Sequence, residues 1–161
     1  MNKKELINSG KVKSVYTTDN PDEVIIEFRD DMTAGDGEKK EVMNDKGAYN
    51  AVISSKIFKV LEENGVETQF IDLPEPNVMI AKKLDMIPIE VIIRNIATGS
   101  LIRKYPIADG TRLEPPIVQM DFKADEYHDP MLNDSTIKAL GIATQEEIDT
   151  LTEKALKINE V

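Results

Sequence analysis

The chain has 161 residues, enough for one domain or two small ones. Hydrophobic residues make up 40% of it, but there is no Trp and only four Phe and four Tyr, so aliphatic side chains and Met must fill the core. The absence of Cys excludes disulfides and thiolate chemistry and favours a cytoplasmic setting. A net charge of −10 argues against nonspecific nucleic-acid binding, which depends on neutralising phosphates.

The N-terminal part of the chain predicts a β-hairpin followed by a loop. Residues 10–18 alternate in polarity with a period of two, and residues 24–28 form a short apolar run. Asp19–Asp22, which contains Asn and Pro, is predicted to be the turn between these two strands. Residues 29–38 are polar, contain two Gly and are predicted to form a loop.

A helix and two strands are predicted next. Residues 48–64 carry apolar side chains at helical spacing, and Gly65 is a natural C-cap. Strands are predicted at 69–73 and 78–84, with a turn at 74–76 because two Pro flank a Glu there.

The segment from Ile87 to Ser100 begins as a strand and ends as a turn suited to phosphate. Alternation predicts an apolar face and an opposite face that carries Glu90 and Arg94. The members of the apolar face are Ile87, Ile89, Val91 and Ile93. A strand holds such charges on a rigid element, so this face is predicted to be the floor of a site for a charged ligand.

Basic residues are concentrated around this strand. Between Lys82 and Arg112 there are six basic and three acidic residues, so the segment carries +3 in an acidic chain. A local basic site suits a small anionic ligand, and Ser100, between Arg94 and Arg103, adds a hydroxyl at a helix start. The alternative is chance clustering on a solvated surface.

The last sixty residues predict further short elements. A helical turn is predicted at 101–104, an extended segment at 112–122, and a helix that begins at Asn133 or Asp134 and ends at Gly141. Thr144–Glu147 has the pattern of a capping box before a final helix. That helix places Ile148, Leu151, Ala155 and Ile158 on one face and reaches Val161 without Gly, Pro or a C-cap.

Other polar clusters leave two interpretations open. Lys11 and Lys13 are two residues apart, so they are predicted to share a strand face, which favours an anion between them. A solvated edge strand is the alternative.

The loop 34–38 has the composition of a metal or phosphate loop but also of an ordinary turn. His128 is the only His, which excludes the common zinc sites and a Ser-His-Asp triad.

Taken in order, these segments resemble the phosphoribosylaminoimidazole-succinocarboxamide synthase (SAICAR synthetase) family. The matching motifs are Gly10–Tyr16, Phe28–Asp31, Asp36–Lys39, Lys82–Lys83, Ile87–Asn95 with Gly99–Ser100, Asp129–Asn133 and Lys138–Ile142. The resemblance implies an α+β fold with an ATP cleft between two lobes. Residues 1–84 would form a small antiparallel β lobe that binds ATP, and residues 85–161 the first part of a larger substrate-binding lobe.

The resemblance also implies a reaction, which is ATP-dependent ligation of L-aspartate to carboxyaminoimidazole ribonucleotide in purine biosynthesis. ATP would phosphorylate the carboxylate, the amine would displace phosphate, and Mg²⁺ would bridge the phosphates, so no protein nucleophile is needed. A homodimer is the assembly expected. The implied catalytic residues are Lys13 and Glu90; the implied ATP contacts are Lys11, Lys13, Val15, Lys82, Leu84 and Met86; the implied substrate contacts are Arg94, Ser100, Asp129, Lys123 and Asp36.

The family continues for roughly 80 residues beyond the position of Val161. The resemblance implies that Mg²⁺ ligands lie there, so little or no ligase activity is expected from these 161 residues alone. Two other classes of function remain open at this point. A kinase-like phosphotransferase would form product without aspartate, and a nucleotide-binding module would bind ATP without turnover.

Overall fold

A computed structural model describes residues 2–34 and 39–161. The chain divides into two compact units, Met1–Asp85 and Met86–Val161. The boundary between these units lies one residue after the boundary predicted between 84 and 85. Antiparallel sheets combine with helices, which confirms the predicted α+β class. In the ranges described, no helix is both long enough and apolar enough to cross a bilayer.

The first unit is built on a five-stranded antiparallel sheet with the order β1-β2-β3-β7-β6. Its strands are β1 (Leu6–Ser9), β2 (Lys13–Thr17), β3 (Glu23–Phe28), β6 (Phe70–Glu75) and β7 (Val78–Lys82). The predicted hairpin is confirmed, since β2 and β3 pair in continuous register with Val15 opposite Ile26. The short edge strand β1 was missed by the sequence analysis; all four of its residues are exposed.

Two segments differ from their predicted conformation. The polar stretch predicted as a loop at 29–38 instead contributes β4 (Asp31–Ala34), which pairs with β5 (Lys39–Val42). Backbone groups make this pairing, so polar side chains do not prevent it. The turn predicted at 74–76 is also wrong in part, because Pro74 and Glu75 belong to β6. Strand β6 lies at the sheet edge, where the missing N–H of Pro costs no ladder bond.

Helix α1 (Lys46–Glu63) packs against β3, β6 and β7. The buried core at this contact consists of Phe28, Ala51, Phe70 and Met79. Asp30 supports the helix start, because its Oδ1 accepts a hydrogen bond from Gly47 N at 2.8 Å and its Oδ2 one from Asp45 N at 3.3 Å. Gly65 follows the helix end with a φ of 75°, as predicted for a C-cap glycine.

The opposite face of α1 carries apolar side chains that are largely exposed. Tyr49, Ile53, Ile57 and Val60 are between 47% and 67% exposed and recur at helical spacing. The helix therefore packs on the sheet through the side that bears Ala51, and its opposite face leaves apolar side chains exposed.

The second unit is built on a three-stranded antiparallel sheet with the order β10-β9-β8. Its elements are β8 (Ile89–Ile96), α2 (Ser100–Lys104), β9 (Arg112–Phe122), a 3₁₀ turn (Asp125–Tyr127), β10 (Met131–Leu132), α3 (Asp134–Ala139) and α4 (Gln145–Glu160). Its buried core comprises Met120, Ile137, Ala143 and Ile148. Ile87, Ile89 and Val91 pack on this core, which confirms the predicted apolar face for these three residues.

The two C-terminal helices begin as predicted. Asn133 Oδ1 accepts a hydrogen bond from Thr136 N at 3.0 Å and caps α3. The capping box of α4 is complete, with Thr144 N donating to Glu147 Oε2 at 2.7 Å and Glu147 N donating to Thr144 Oγ1 at 3.3 Å. The hydrogen bonds that Glu147 accepts from Thr144, first from its backbone N–H and then from its hydroxyl, lower the pKa of the Glu147 carboxyl.

Candidate functional site

Arg94 and Ser100, the two residues predicted to hold a phosphate, line one cavity of about 300 Å³ in the second unit. Arg94 lies near the end of β8, and Ser100 is the first residue of α2. Gly99, just before it, has a φ of 60°, a conformation that glycine adopts without strain. The strand and the turn therefore bring the Arg94 guanidinium and the Ser100 hydroxyl to the lining of the same cavity.

The remaining lining of this cavity combines polar groups with a larger apolar surface. Lys104 adds a second cationic side chain and Gln119 adds an amide. Apolar lining comes from residues that include Leu101, Ile107, Leu113, Ile117, Val118 and Leu132. Such a cavity suits a ligand with an anionic end and a less polar body, because cations fix the anion and the walls exclude water.

Glu90 and Lys123 are ion-paired at 3.5 Å between Lys123 Nζ and Glu90 Oε2. Each side chain is about half exposed, so the pair contributes little to stability. Glu90 lies four residues from Arg94 on β8, a separation of about 13 Å along a strand. The structure thus brings Glu90 and Lys123 together, at a distance from Arg94 and the cavity that it lines.

Asp129 lies in a tight turn and fixes its conformation. Its Oδ1 accepts a hydrogen bond from Ala124 N at 2.9 Å, and its φ is 44°; His128 beside it has a φ of 57°. The local hydrogen bond commits one carboxylate oxygen to the main chain and fixes the direction of the carboxyl group.

In the first unit, the predicted phosphate contacts lie at the turn between β1 and β2. Lys11 is in a bend before β2 begins at Lys13, so the prediction that both lysines share one strand face is wrong. Alternation of side chains applies within a strand and not through a turn. The ammonium group of Lys13 lies 5.6 Å from the centre of the Phe28 ring, its register partner, which is a cation–π contact.

The other predicted nucleotide contacts do not all share a face of the sheet. Val15 lies on the same face as Lys13, since both alternate with Ser14. Lys82 is opposite Glu23, and Glu23 lies on the other face of β3 from Phe28, so its side chain is directed away from that of Lys13. Leu84 and Met86 follow β7 and are 54% and 81% exposed.

Arg29, which the sequence analysis did not single out, contacts the turn that carries Lys11. Its Nη1 donates to Ser9 Oγ and Ser14 Oγ, both at 2.8 Å, and its Nη2 donates to Gly10 O at 2.5 Å. Its Nε lies 2.7 Å from Asp31 Oδ2 as an ion pair, without the alignment of a hydrogen bond. Arg29 therefore ties both sides of the turn that carries Lys11. No spacing in the sequence points to this role, because the partners are 15 to 20 residues away.

Two predictions concern residues or ligands that the described part of the chain does not provide. Asp36 lies at 35–38, outside the described residues. Within the described ranges, no three His, Asp or Glu side chains are grouped so that they could hold a metal ion.

Comparisons with known proteins identify the family of the chain. A family model described as SAICAR synthetase matches residues 6–161. The chain is 84% identical over 161 residues to the phosphoribosylaminoimidazole-succinocarboxamide synthase of Methanobrevibacter smithii, covering all of this chain and 66% of that protein. It therefore spans slightly less than two thirds of that relative's length.

Solved structures are similar over the same extent. The synthase from Ehrlichia chaffeensis superposes with a TM-score of 0.90 at 39% identity, covering 97% of this chain and 66% of that one. A SAICAR synthetase in complex with ADP superposes with a TM-score of 0.88 at 46% identity and the same coverage. The family-model match over nearly the whole chain and the similarity to solved synthetase folds show that the chain belongs to the SAICAR synthetase family.

Proposed function

We propose that this chain supplies the ATP-binding and ribonucleotide-binding part of a ligase that joins L-aspartate to carboxyaminoimidazole ribonucleotide. The products would be SAICAR, ADP and phosphate. The observation that supports this most is the cavity that Arg94, Ser100 and Lys104 line together. A ribonucleotide has the phosphate that these groups would bind and a less polar body that the apolar walls would hold.

The proposed reaction has two steps. An oxygen of the ribonucleotide carboxylate attacks the γ-phosphorus of ATP, which gives an acyl phosphate and ADP. The aspartate amine then attacks the acyl carbon, loses a proton and expels phosphate as the amide forms. Both steps develop charge on phosphoryl or carbonyl oxygens, so fixed cationic groups are the main requirement.

Residues between Lys11 and Met86 would bind the nucleotide in this proposal. Lys11 and Lys13 would contact the phosphates of ATP, and Arg29 would hold their turn in place through its bonds to Ser14 and Gly10. Val15 would form part of the wall around adenine. The direction of the Lys82 side chain favours a contribution from its main chain, together with Leu84 and Met86.

Residues of the second unit would bind the ribonucleotide. Arg94 and Ser100 would hold its phosphate, and Asp129, fixed by Ala124 N, would accept a hydrogen bond from the imidazole amine. Glu90 would act near the reacting carboxylate, beside Lys123, its ion-pair partner. Asp36 is proposed as a further substrate contact. Mg²⁺ would accompany the phosphates of ATP, and none of the described residues is assigned to it.

The setting proposed for this reaction is the cytoplasm, where a chain without Cys needs no oxidising environment. A homodimer is the proposed assembly, and light scattering would measure its mass. Both statements concern the whole protein and are independent of the assignment of the site residues.

Binding and turnover assays test the proposal. Calorimetry on the 161-residue chain should detect saturable binding of ATP and of carboxyaminoimidazole ribonucleotide. The same 161 residues, joined to the part of the Methanobrevibacter smithii relative that they do not match, should release many ADP molecules per site only when aspartate and the ribonucleotide are both present, because without aspartate the first step stops at one acyl phosphate per site. Repeated ADP release without aspartate would instead identify a phosphotransferase, and ATP binding without any release would identify a nucleotide-binding module.

A further inference from the structure

Arg94 is connected by hydrogen bonds to two residues of β9 that no motif identified. Its Nε donates to Gln119 Oε1 at 3.3 Å, and Gln119 Nε2 donates to both carboxylate oxygens of Asp121 at 2.8 Å. The register accounts for this, since Asp121 is opposite Glu90 and Gln119 is opposite Ile92 on the face that carries Arg94. Arg94, Gln119 and Asp121, which these hydrogen bonds connect, are all partly buried.

The orientation of the Gln119 amide is determined from both ends. A carboxylate only accepts hydrogen bonds, so Asp121 requires the NH₂ group of Gln119 to be directed at it. A guanidinium only donates, so Arg94 requires the amide oxygen. A flipped amide would lose the hydrogen bonds at both ends, because its NH₂ group would face the Arg94 donor and its oxygen would face the Asp121 carboxylate. The unflipped orientation therefore fixes the position of Gln119 Oε1 relative to Arg94.

The chemistry at the two ends also explains why an amide suits this position. A carboxylate in direct contact with Arg94 would neutralise the guanidinium and compete with an anionic ligand. A neutral amide oxygen holds Nε and leaves the charge on Arg94 intact. With Nε engaged, the plane of the guanidinium is set and its two terminal nitrogens form the fork that binds phosphate oxygens in pairs.

We propose that Gln119 is a positioning residue for phosphate binding. It holds the Arg94 guanidinium in the cavity lining while it separates Arg94 from the negative charge of Asp121. The ligand class is a phosphate monoester whose organic part is less polar than its phosphate. This inference rests on the proposed function, because it takes Arg94 as the phosphate contact of the ribonucleotide.

The test measures binding of D-ribose 5-phosphate and of ATP to the 161-residue chain and its variants by calorimetry. Gln119→Leu removes both hydrogen bonds and should weaken ribose 5-phosphate binding about five- to tenfold, since the Arg94 bond is long and its net contribution modest. Gln119→Glu should weaken it more at pH 8, because a second carboxylate then faces Arg94 and Asp121. Affinity for ATP should stay within a factor of about two in every variant.

Two features separate positioning from a merely structural role. The loss in Gln119→Glu, relative to the unchanged chain at the same pH, should shrink as the pH falls through about 4.3, the ordinary pKa of a Glu carboxyl, because protonation of the new carboxyl group removes its charge. Asp121→Asn is the matched conservative variant. It keeps an acceptor oxygen for Gln119, and it should bind ribose 5-phosphate nearly as well as the unchanged chain, whereas Asp121→Leu should not.

The possible results are distinguishable. Equal ribose 5-phosphate affinity in the unchanged chain and Gln119→Leu would overturn the positioning role and leave the proposed function standing. No binding of ribose 5-phosphate or of the ribonucleotide by the unchanged chain would overturn both. A loss in Gln119→Glu that does not change with pH would overturn the argument that charge separation matters. Circular dichroism spectra that match the unchanged chain show that each variant is folded.

Discussion

The start of α1 depends on a glycine that sequence statistics would replace. Gly47 is in the first turn of the helix, where Ala has a propensity advantage of about 1 kcal/mol. A Cβ at this position would lie 2.4 Å from Phe28 O, 2.9 Å from Phe28 C and 3.1 Å from Asp30 Oδ1. The first two atoms are backbone and cannot rotate away, so the helix start or the end of β3 would have to move.

The change in the free energy of unfolding for Gly47→Ala is the sum of three contributions. Overpacking of this kind costs about 1–3 kcal/mol. Displacement of the helix start also weakens the 2.8 Å hydrogen bond from Gly47 N to Asp30, a cap that contributes about 1 kcal/mol. Subtracting the propensity advantage of about 1 kcal/mol leaves Gly47→Ala less stable by about 1–3 kcal/mol.

Urea denaturation followed by helical circular dichroism measures this difference. Gly10→Ala is the matched control, because nothing lies within 4 Å of a Cβ built there and both glycines belong to the first unit. It should change the free energy of unfolding by no more than about 0.5 kcal/mol. A Gly47→Ala chain as stable as the unchanged chain, or more stable, would show that the contact with Phe28 O is relieved at no cost and would refute the reasoning.

Three further predictions concern the site and a helix start. Arg94→Ala should weaken ribonucleotide binding about 10- to 100-fold and leave ATP affinity unchanged in calorimetry, and equal effects on both ligands would contradict the assignment. Arg29→Ala should weaken ATP binding about tenfold, because Ser14 and Gly10 lose their common donor, while ribonucleotide affinity stays constant; unchanged ATP affinity would contradict the role given to Arg29. Glu147 has a lowered pKa, so its stabilising effect is present above its unfolded pKa of about 4.3 and is lost as the pH falls through the lower folded value. Urea midpoints of Glu147→Gln and the unchanged chain should therefore differ at pH 7 and converge in acid, and a constant difference would argue against the capping box as the cause.

Elements whose structure depends on neighbouring residues were predicted correctly from the sequence. Period-two alternation gave the apolar face of β8, because one face of that strand packs on a core. The Thr144 and Glu147 pair predicted the start of α4, because two hydrogen bonds between residues three apart define a capping box. The strand formed by residues 31–34 had no such signal, since its pairing to 39–42 depends on backbone groups.

The site was predictable only where its residues lie close together in the sequence. Arg94 and Ser100 are six residues apart, and a strand followed by a turn is enough to bring them to one cavity. Gln119 reaches Arg94 from 25 residues away, through a strand register that the sequence does not reveal. Lys11 was predicted wrongly for a related reason, since the residue at which β2 begins decides whether alternation applies to it.

The outward face of α1 has a consequence for the behaviour of the protein at high concentration. Tyr49, Ile53, Ile57 and Val60 expose apolar surface that would favour association between molecules. The net charge of −10 opposes this through mutual repulsion. In 0.1 M salt, repulsion between charges more than a Debye length of about 10 Å apart is largely screened, and protonation of carboxylates removes their charge. Solubility should therefore be greatest in dilute buffer near neutral pH and should fall with added salt or acid.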